Sequence, residues 1–408
     1  MPSAIQESDI STATLADDPK IAVRESTKPL VYSGSLDSFQ HNDFTPSIGR
    51  EIPDLQIEKI LVAPDSDTLI RDLAITVSER GVVFLRNQDM SVDSLIQLGK
   101  RLSTLSGSPS SSGLHIHPIT EAGSELGDQI SVISSVRMKK AYSAPVDPLT
   151  EPSKFASNGW HADITFEPVP SDYAILKIHT LPPTGGDTLW ASGYEIYDRL
   201  SPATAAYLEN LTAIHDGNFF NGIAERLGNP LRTDARGSIL NQGSNLQARH
   251  PVIRTNPVTG WKSVFVNKGL TKRIVKLTKD ESDVILNYLF DLVSLNHDNQ
   301  VRFRWSQNDV AIWDNRSNWH AATYDHNDVR IGDRVVSLGE NPYFDPRSVG
   351  RREGLGRREA REEVKEEGKE SLVVREKEKE VRGEKKTVGE KEKEEVVKVV
   401  SDGAEVAK

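Results

Sequence analysis

Asn158-Gly159-Trp160-His161-Ala162-Asp163-Ile164-Thr165-Phe166 is the stretch whose reading decides the rest of the chain. It sets an imidazole and a carboxylate two residues apart in a segment that reads as extended, and in a strand residues i and i+2 face the same side. Two metal-capable groups would then share one interior. A mononuclear iron site of the two-His, one-carboxylate type needs that pair and a second His from elsewhere, and it leaves positions open for substrate and oxygen. A lone His-x-Asp is weak by itself, because such triplets arise by chance. The plain alternative is a buried, hydrogen-bonded His beside a surface Asp, so the weight of the stretch depends on a third ligand downstream.

The whole chain limits what that site can be. Its 408 residues and 37% hydrophobic content support one large domain with added tails. No run of roughly 18 apolar residues is present to span a bilayer, and the first residues lack the basic-then-apolar layout of a signal peptide. A soluble, cytoplasmic protein without membrane partners is therefore expected. With no cysteine, thiolate catalysis and cysteine-ligated zinc or iron–sulfur sites are excluded, so any metal must sit on His, Asp or Glu. A net charge of -10 argues against a nucleic-acid partner, while a local basic pocket remains compatible with a small anionic substrate.

Periodicity then gives the elements. Residues 1–43 are polar and read as a disordered arm, with order beginning near Phe44. Leu69, Leu73, Ala74 and Val77 recur at helical spacing over 66–80, Val82-Val83-Phe84-Leu85 reads as a buried strand, and Ser91 caps a helix carrying Leu95, Leu98 and Leu102. Strands are predicted over 130–136, 173–181 and 187–190, the last two as an antiparallel hairpin about Pro182-Pro183-Thr184-Gly185-Gly186. Helical patterns follow over 194–211, with Ser201-Pro202 starting its second half at a natural cap, and over 277–293, with two strands about the 256–260 turn between them. Val301–Trp305, Val310–Asp314 and Arg334–Leu338 close the sheet. Mostly β structure with peripheral helices implies a double-stranded β-helix, or jelly-roll, core over 44–346. Beyond 346 the composition turns to Lys, Glu, Arg and Gly, a charged low-complexity tail over 347–408.

The candidate third ligand is His320, in Trp313-Asp314-Asn315-Arg316-Ser317-Asn318-Trp319-His320, followed by Arg330 and Arg334. Together with Trp160-His161-x-Asp163-x-Thr165-Phe166 and Leu181-Pro182-x-Thr184-Gly185-Gly186-Asp187-Thr188-Leu189-Trp190, it resembles the TauD/TfdA family of iron(II)- and 2-oxoglutarate-dependent dioxygenases, nearest to the fungal alkylsulfonate and taurine enzymes. The likeness covers residues 44 to 346.

The resemblance implies His161, Asp163 and His320 as iron ligands, with 2-oxoglutarate and O2 as co-substrates. It implies Arg330 and the Thr188 hydroxyl as the grip on the far carboxylate of 2-oxoglutarate, where a planar, permanently charged fork suits a carboxylate. Arg334 would face the substrate anion, although a spacing one residue shorter than in bacterial relatives lets the two arginines exchange roles. His117 matches the His that contacts the sulfonate, and the Ile164 amide adds a donor. Leu270 stands where bacterial taurine enzymes carry Phe, Thr120 where they carry Tyr, and Ala156 where they carry Asn. An anionic alkylsulfonate or sulfate ester is expected, hydroxylated at the carbon bearing the sulfonate and breaking down to an aldehyde and sulfite. Family members are commonly oligomeric, so a homo-oligomer is expected as well.

Three rivals accompany this reading. One is a sister oxygenase acting on xanthine, an aryloxyacetate or an alkyl sulfate. A second is a metal-dependent hydrolase built on His115 and His117. A third is a catalytically silent jelly-roll binding protein, which predicts no succinate under any condition and which the complete ligand set disfavours. The adjacent Phe219 and Phe220 are candidates for lining the pocket, although such a pair is more often plain core.

Overall fold

The computed structural model describes residues 29–120, 125–142, 155–360 and 363. Two compact units are distinguished, Met1–Arg351 and Arg352–Lys408. In the second, residues 352–360 are helical; the first 28 residues and most of the charged tail, 361–362 and 364–408, lie outside the described residues. In the first unit, residues upstream of Phe44 already engage the fold. Leu36 is buried, and the Ser33 and Ser35 amides donate to the buried Asp72 carboxylate at 3.0 Å.

A seven-stranded sheet organises this unit. Its order is Asn42–Asp43, Arg50–Glu51, Val82–Leu85, Asp309–Asp314, Ser171–Thr180, Ile331–Leu338, Ser131–Ser134. Pairing is antiparallel except between Arg50–Glu51 and Val82–Leu85. Alternation explains why both faces are covered. Along the central strands Val310, Ile312, Tyr173, Ile175 and Val335 enter one apolar cluster, packed by Leu69, Leu73, Leu95, Leu98 and Leu102 of helices Ser66–Arg80 and Val92–Leu105. The intervening Ala311, Trp313, Ala174, Leu176 and Val336 enter a second cluster with Phe84, Trp190 and Phe303. Burying each large side chain is worth about 1.5–3 kcal/mol, so two apolar faces rather than strand propensity fix the register.

Opposite that second face lies a three-stranded sheet, Gln300–Phe303, Thr188–Ser192 and Asn318–Ala322. Trp190 points into the shared core, whereas Ala191, Trp319 and Ala321 face outward to Leu286, Leu289 and Val293 of helix Lys279–Leu295. That helix starts at a Thr278/Glu281 capping box. Strands Thr271–Ile274, Thr212–Asp216 and Gln247–Pro251 make a second small sheet, and Ile253–Thr255 pairs with Lys262–Val264 about the expected turn.

Two of the expected strand arrangements differ in the structure. Ser171–Thr180 and Thr188–Ser192 do not form a hairpin; the first pairs with Asp309–Asp314 and Ile331–Leu338, the second with Gln300–Phe303 and Asn318–Ala322. The Pro182-Pro183 pair has no N–H to give a ladder, and Gly185 and Gly186, at φ 76° and 73°, take the chain across to the facing sheet. The strand expected over 130–136 stops at Ser134 and becomes helix Ser135–Tyr142. The helical pattern over 194–211 resolves into Gly193–Asp198 and Pro202–Leu208, the second starting at the Ser201 cap that the sequence indicates.

Candidate active site

The stretch that opened the argument is not a strand. His161 makes a single bridge to His320, with reciprocal N–H to carbonyl bonds of 3.0 and 2.8 Å. The chain then turns: Ile164 sits at φ 49°, and the Glu167 amide donates back to its carbonyl at 3.0 Å. A β-branched residue in the left-handed region costs about 1–3 kcal/mol and persists only where its surroundings impose it. Here they do. His250 Nε2 holds the Thr165 and Glu167 carbonyls at 2.9 and 3.1 Å, and His215 Nδ1 meets Thr165 Oγ1 at 2.9 Å. The turn, rather than strand alternation, brings His161 and Asp163 together.

His161, Asp163 and His320 gather with one donor atom each, all within 4.8 Å of one another, the one such cluster among the described residues. Each imidazole Nε2 lies 4.0 Å from Asp163 Oδ1. Across from it, His161 Nδ1 meets the Gly159 carbonyl at 2.8 Å, which makes Nδ1 the protonated nitrogen and leaves the Nε2 lone pair for a metal. The donor set therefore fits a divalent metal. Burial alone would raise the Asp163 carboxyl, but Arg334 first and the two imidazoles after it hold it at about 2. His320 is pushed down to about 3 by burial and by His161, so it is neutral, as a ligand must be.

Asn315 clasps the carboxylate residue. Its Oδ1 accepts from the Asp163 amide at 3.0 Å and from Trp313 Nε1 at 3.1 Å. Its Nδ2 donates to Asp163 Oδ2 at 3.3 Å and to Ser171 Oγ at 2.9 Å. Asp163 Oδ1 thus stays with the imidazoles and with Arg334 Nη1, 2.6 Å away.

Beside this cluster lies a buried cation. Arg330 donates through Nε to the Gly186 carbonyl at 2.8 Å and through Nη2 to Thr188 Oγ1 at 3.3 Å, and Trp305 Nε1 also reaches that hydroxyl. Burial lowers its pKa, offset in part by Tyr324 and Asp187. Among the described residues no carboxylate pairs with it, and a buried guanidinium without a counter-ion is a waiting anion site. Arg330, not Arg334, is therefore next to Thr188. Arg334 Nε is buried without a partner, and among the described residues the Ile164 amide donates to no acceptor.

The His117 ring packs edge-on against Phe220 at 4.8 Å. Burial, then His115 and Arg334, drive its pKa well down, with Asp163 opposing. Leu270 is buried in the core cluster that contains Ile164 and Phe166. His115 is committed elsewhere: its Nε2 lies 3.2 Å from Glu167 Oε1. Glu167 in turn takes two bonds from Arg236, at 2.6 and 2.9 Å, and both charged partners are 1% exposed. This removes the His115/His117 pair from contention as a hydrolase metal site.

Asn315, Glu167, Arg236 and His250 escaped the sequence reading. Asn315 had a signal, lying inside the motif that leads to His320. The other three had none, since their partners are distant in the chain.

Two imidazoles and a carboxylate between facing sheets, with a buried free cation alongside, make the donor set of a mononuclear metal enzyme that leaves positions for its reactants. The chain belongs to the TauD/TfdA family: the family described as taurine catabolism dioxygenase TauD, TfdA family matches residues 40–335. It is a 2-oxoglutarate-dependent dioxygenase that takes Fe(II), 2-oxoglutarate and O2. An alpha-ketoglutarate-dependent dioxygenase of Neocamarosporium betae is 46% identical, over 80% of this chain and 98% of the relative. An alpha-ketoglutarate-dependent sulfonate dioxygenase of Saccharomyces cerevisiae is 28% identical, over 80% of this chain and 74% of the relative. Among solved structures, a taurine dioxygenase from Burkholderia xenovorans superposes with a TM-score of 0.56 at 25% identity, covering 75% of this chain and 91% of that one. No helix among the described residues is long and apolar enough to cross a membrane.

Proposed function

We propose that the protein hydroxylates the carbon next to the sulfonate of an alkylsulfonate, using 2-oxoglutarate and O2 and yielding succinate and CO2. The α-hydroxysulfonate then breaks its C–S bond, giving an aldehyde and sulfite, so the net reaction delivers inorganic sulfur. The facing sheets act as the double-stranded β-helix core, and His161, Asp163 and His320 hold the iron. Fe(II) supplies the oxygen activation; the protein's own part is position and charge. Arg330 and Thr188 grip the far carboxylate of 2-oxoglutarate.

The observation that carries the substrate class is a set of donors left without partners. Arg334, bonded to Asp163 through Nη1, keeps Nε without a partner, the Ile164 amide is free among the described residues, and the partly buried His117 ring packs against Phe220 and lies 6.4 Å from Phe166. Donors supplied by three different elements suit a tetrahedral oxyanion with several acceptor oxygens. The sulfonate-named relative from Saccharomyces cerevisiae supports the same class. A small anionic substrate, with no nucleic-acid or membrane partner, and a cytoplasmic, homo-oligomeric enzyme complete the proposal.

The test is succinate and sulfite release by purified protein with Fe(II), 2-oxoglutarate and oxygen, across alkylsulfonates, taurine, alkyl sulfates, an aryloxyacetate and xanthine. Sulfite stoichiometric with succinate on a sulfonate is expected. Succinate stimulated only by a substrate without sulfur would overturn the sulfonate assignment and leave the iron site standing.

A further inference from the structure

We propose that a compartment beside Thr120 receives the organic body of the substrate, so that the enzyme acts on an anion with an extended body rather than on a two-carbon one. This rests on the reading above that the anionic head sits among His117, Arg334 and the Ile164 amide.

The compartment is a cavity of about 230 Å³ between Thr120 and the 229–234 run. One water's share of liquid volume is about 30 Å³, so the cavity has room for a chain of several carbon atoms. It is fastened directly to the head-group side. The Thr120 amide donates to the His117 carbonyl at 2.8 Å, and the Arg232 amide donates to the Pro118 carbonyl at 2.8 Å.

An apolar wall joins the two places. Phe220 packs edge-on against His117 at 4.8 Å and lies 5.4 Å from Phe166. Phe220 and Leu231, both partly buried, pack against the cluster that contains Ile164 and Leu270, and Leu231 also lines the cavity. Phe219 stacks on Phe220 at 4.2 Å and is 44% exposed. Aromatic side chains left half-covered beside a polar anchor are how a ligand site is usually walled.

The lining fixes the chemistry of the body. Pro230 and Leu231 are apolar, whereas Thr120, Asn229 and Thr233 carry hydrogen-bonding groups and Asp234 a carboxylate. Arg232 is engaged by Asp128. A body that pairs an apolar stretch with a hydrogen-bonding group, and carries no second anionic group to meet Asp234, matches that mixed lining.

The experiment crosses head group with body. Sulfonate, sulfate ester and carboxylate heads are each placed on straight chains of increasing length, with and without a terminal hydroxyl, and kcat/KM is measured for wild type, Thr120→Phe and Thr233→Phe. Thr233 is exposed, so its substitution fills the cavity without straining the core. Wild type should gain up to about fourfold in kcat/KM per added methylene until the cavity is full, and both variants should lose that gain. Where a compound is bound without turnover, dissociation constants for the protein loaded with Fe(II) and 2-oxoglutarate read the same dependence. If carboxylates outrank sulfonates while the length dependence holds, the sulfonate reading falls and the compartment stands. A flat or falling dependence for every head group, or one unaltered in both variants, would overturn the proposal.

Discussion

Replacing Asn315 with Ala separates metal positioning from simple packing. The side chain is 1% exposed and makes four hydrogen bonds, two of them to Asp163. Its loss strands the Asp163 amide and Trp313 Nε1 as buried donors without acceptors. Each stranded donor costs about 1–3 kcal/mol, so the variant should lose about 4 kcal/mol of stability. The Asp163 carboxylate also loses its hold on Oδ2, and removing a partner that orients a ligand costs about 10–100-fold in metal affinity. Ser171→Ala is the matched control. It removes the other Nδ2 partner without touching Asp163, so it should cost about 1 kcal/mol and leave metal affinity at the wild-type value. Denaturant unfolding of the metal-free protein gives the first quantity, and anaerobic Fe(II) titration gives the second. An Asn315→Ala protein that is destabilised but binds Fe(II) as wild type does would refute the positioning argument.

Three further outcomes are expected. Arg330→Lys keeps a charge but loses the fork, so the 2-oxoglutarate KM should rise at least tenfold, and Arg330→Ala about a hundredfold or more, since truncating one partner of a buried charge pair costs about 2–5 kcal/mol; competition by a carboxylate analogue would read the same ranking. Arg236→Met leaves Glu167 buried without its cation, and should cost about 3–5 kcal/mol in unfolding free energy, with a smaller loss in Arg236→Met combined with Glu167→Gln. The third concerns pH. Burial and Arg254 hold His250 at about 3 in the fold, against about 6.5 when unfolded. The unfolded chain therefore binds the extra proton first, and stability from this group is complete above about pH 6.5 and drains away as pH falls toward the folded value. Between pH 6.5 and 5 that amounts to about 2 kcal/mol. His250→Gln, which keeps a donor for the Thr165 and Glu167 carbonyls, should flatten the acid limb of a stability–pH curve by about one proton; an unaltered slope would count against a neutral His250.

Much of the site was legible because its chemistry is carried by residue types in recurring order. His161, Asp163, His320, Thr188 and Arg330 all stand in short motifs; the structure gathers the first three in one cluster and bonds Arg330 to Thr188. The geometric reason first offered for the His161/Asp163 pair was nonetheless mistaken. Strand alternation predicts two donors on one face, whereas the chain gathers them through a strained turn at Ile164 that needs His250 and His215, more than fifty residues downstream. The buried central strands were readable from continuous apolar runs such as Val310–Asp314, since both faces of that sheet are covered. Partner choice was not. The Pro182–Gly186 turn looks like a hairpin locally, and only the apolar surfaces that each strand presents send Thr188–Ser192 to the opposite sheet. Glu167 and Arg236 were invisible for the same reason: a buried ion pair across 69 positions leaves no local pattern.

The central claim is that His161, Asp163 and His320 hold the iron on which 2-oxoglutarate is turned over. The most direct measurement is Fe(II) bound per chain under anaerobic conditions, followed by succinate released on admitting oxygen, for wild type and for His161→Ala, Asp163→Ala and His320→Ala. One Fe(II) per chain with succinate formation in wild type, and loss of both in each variant while the fold survives by circular dichroism, is the expected result. A variant that keeps full Fe(II) stoichiometry and wild-type succinate release would contradict the account.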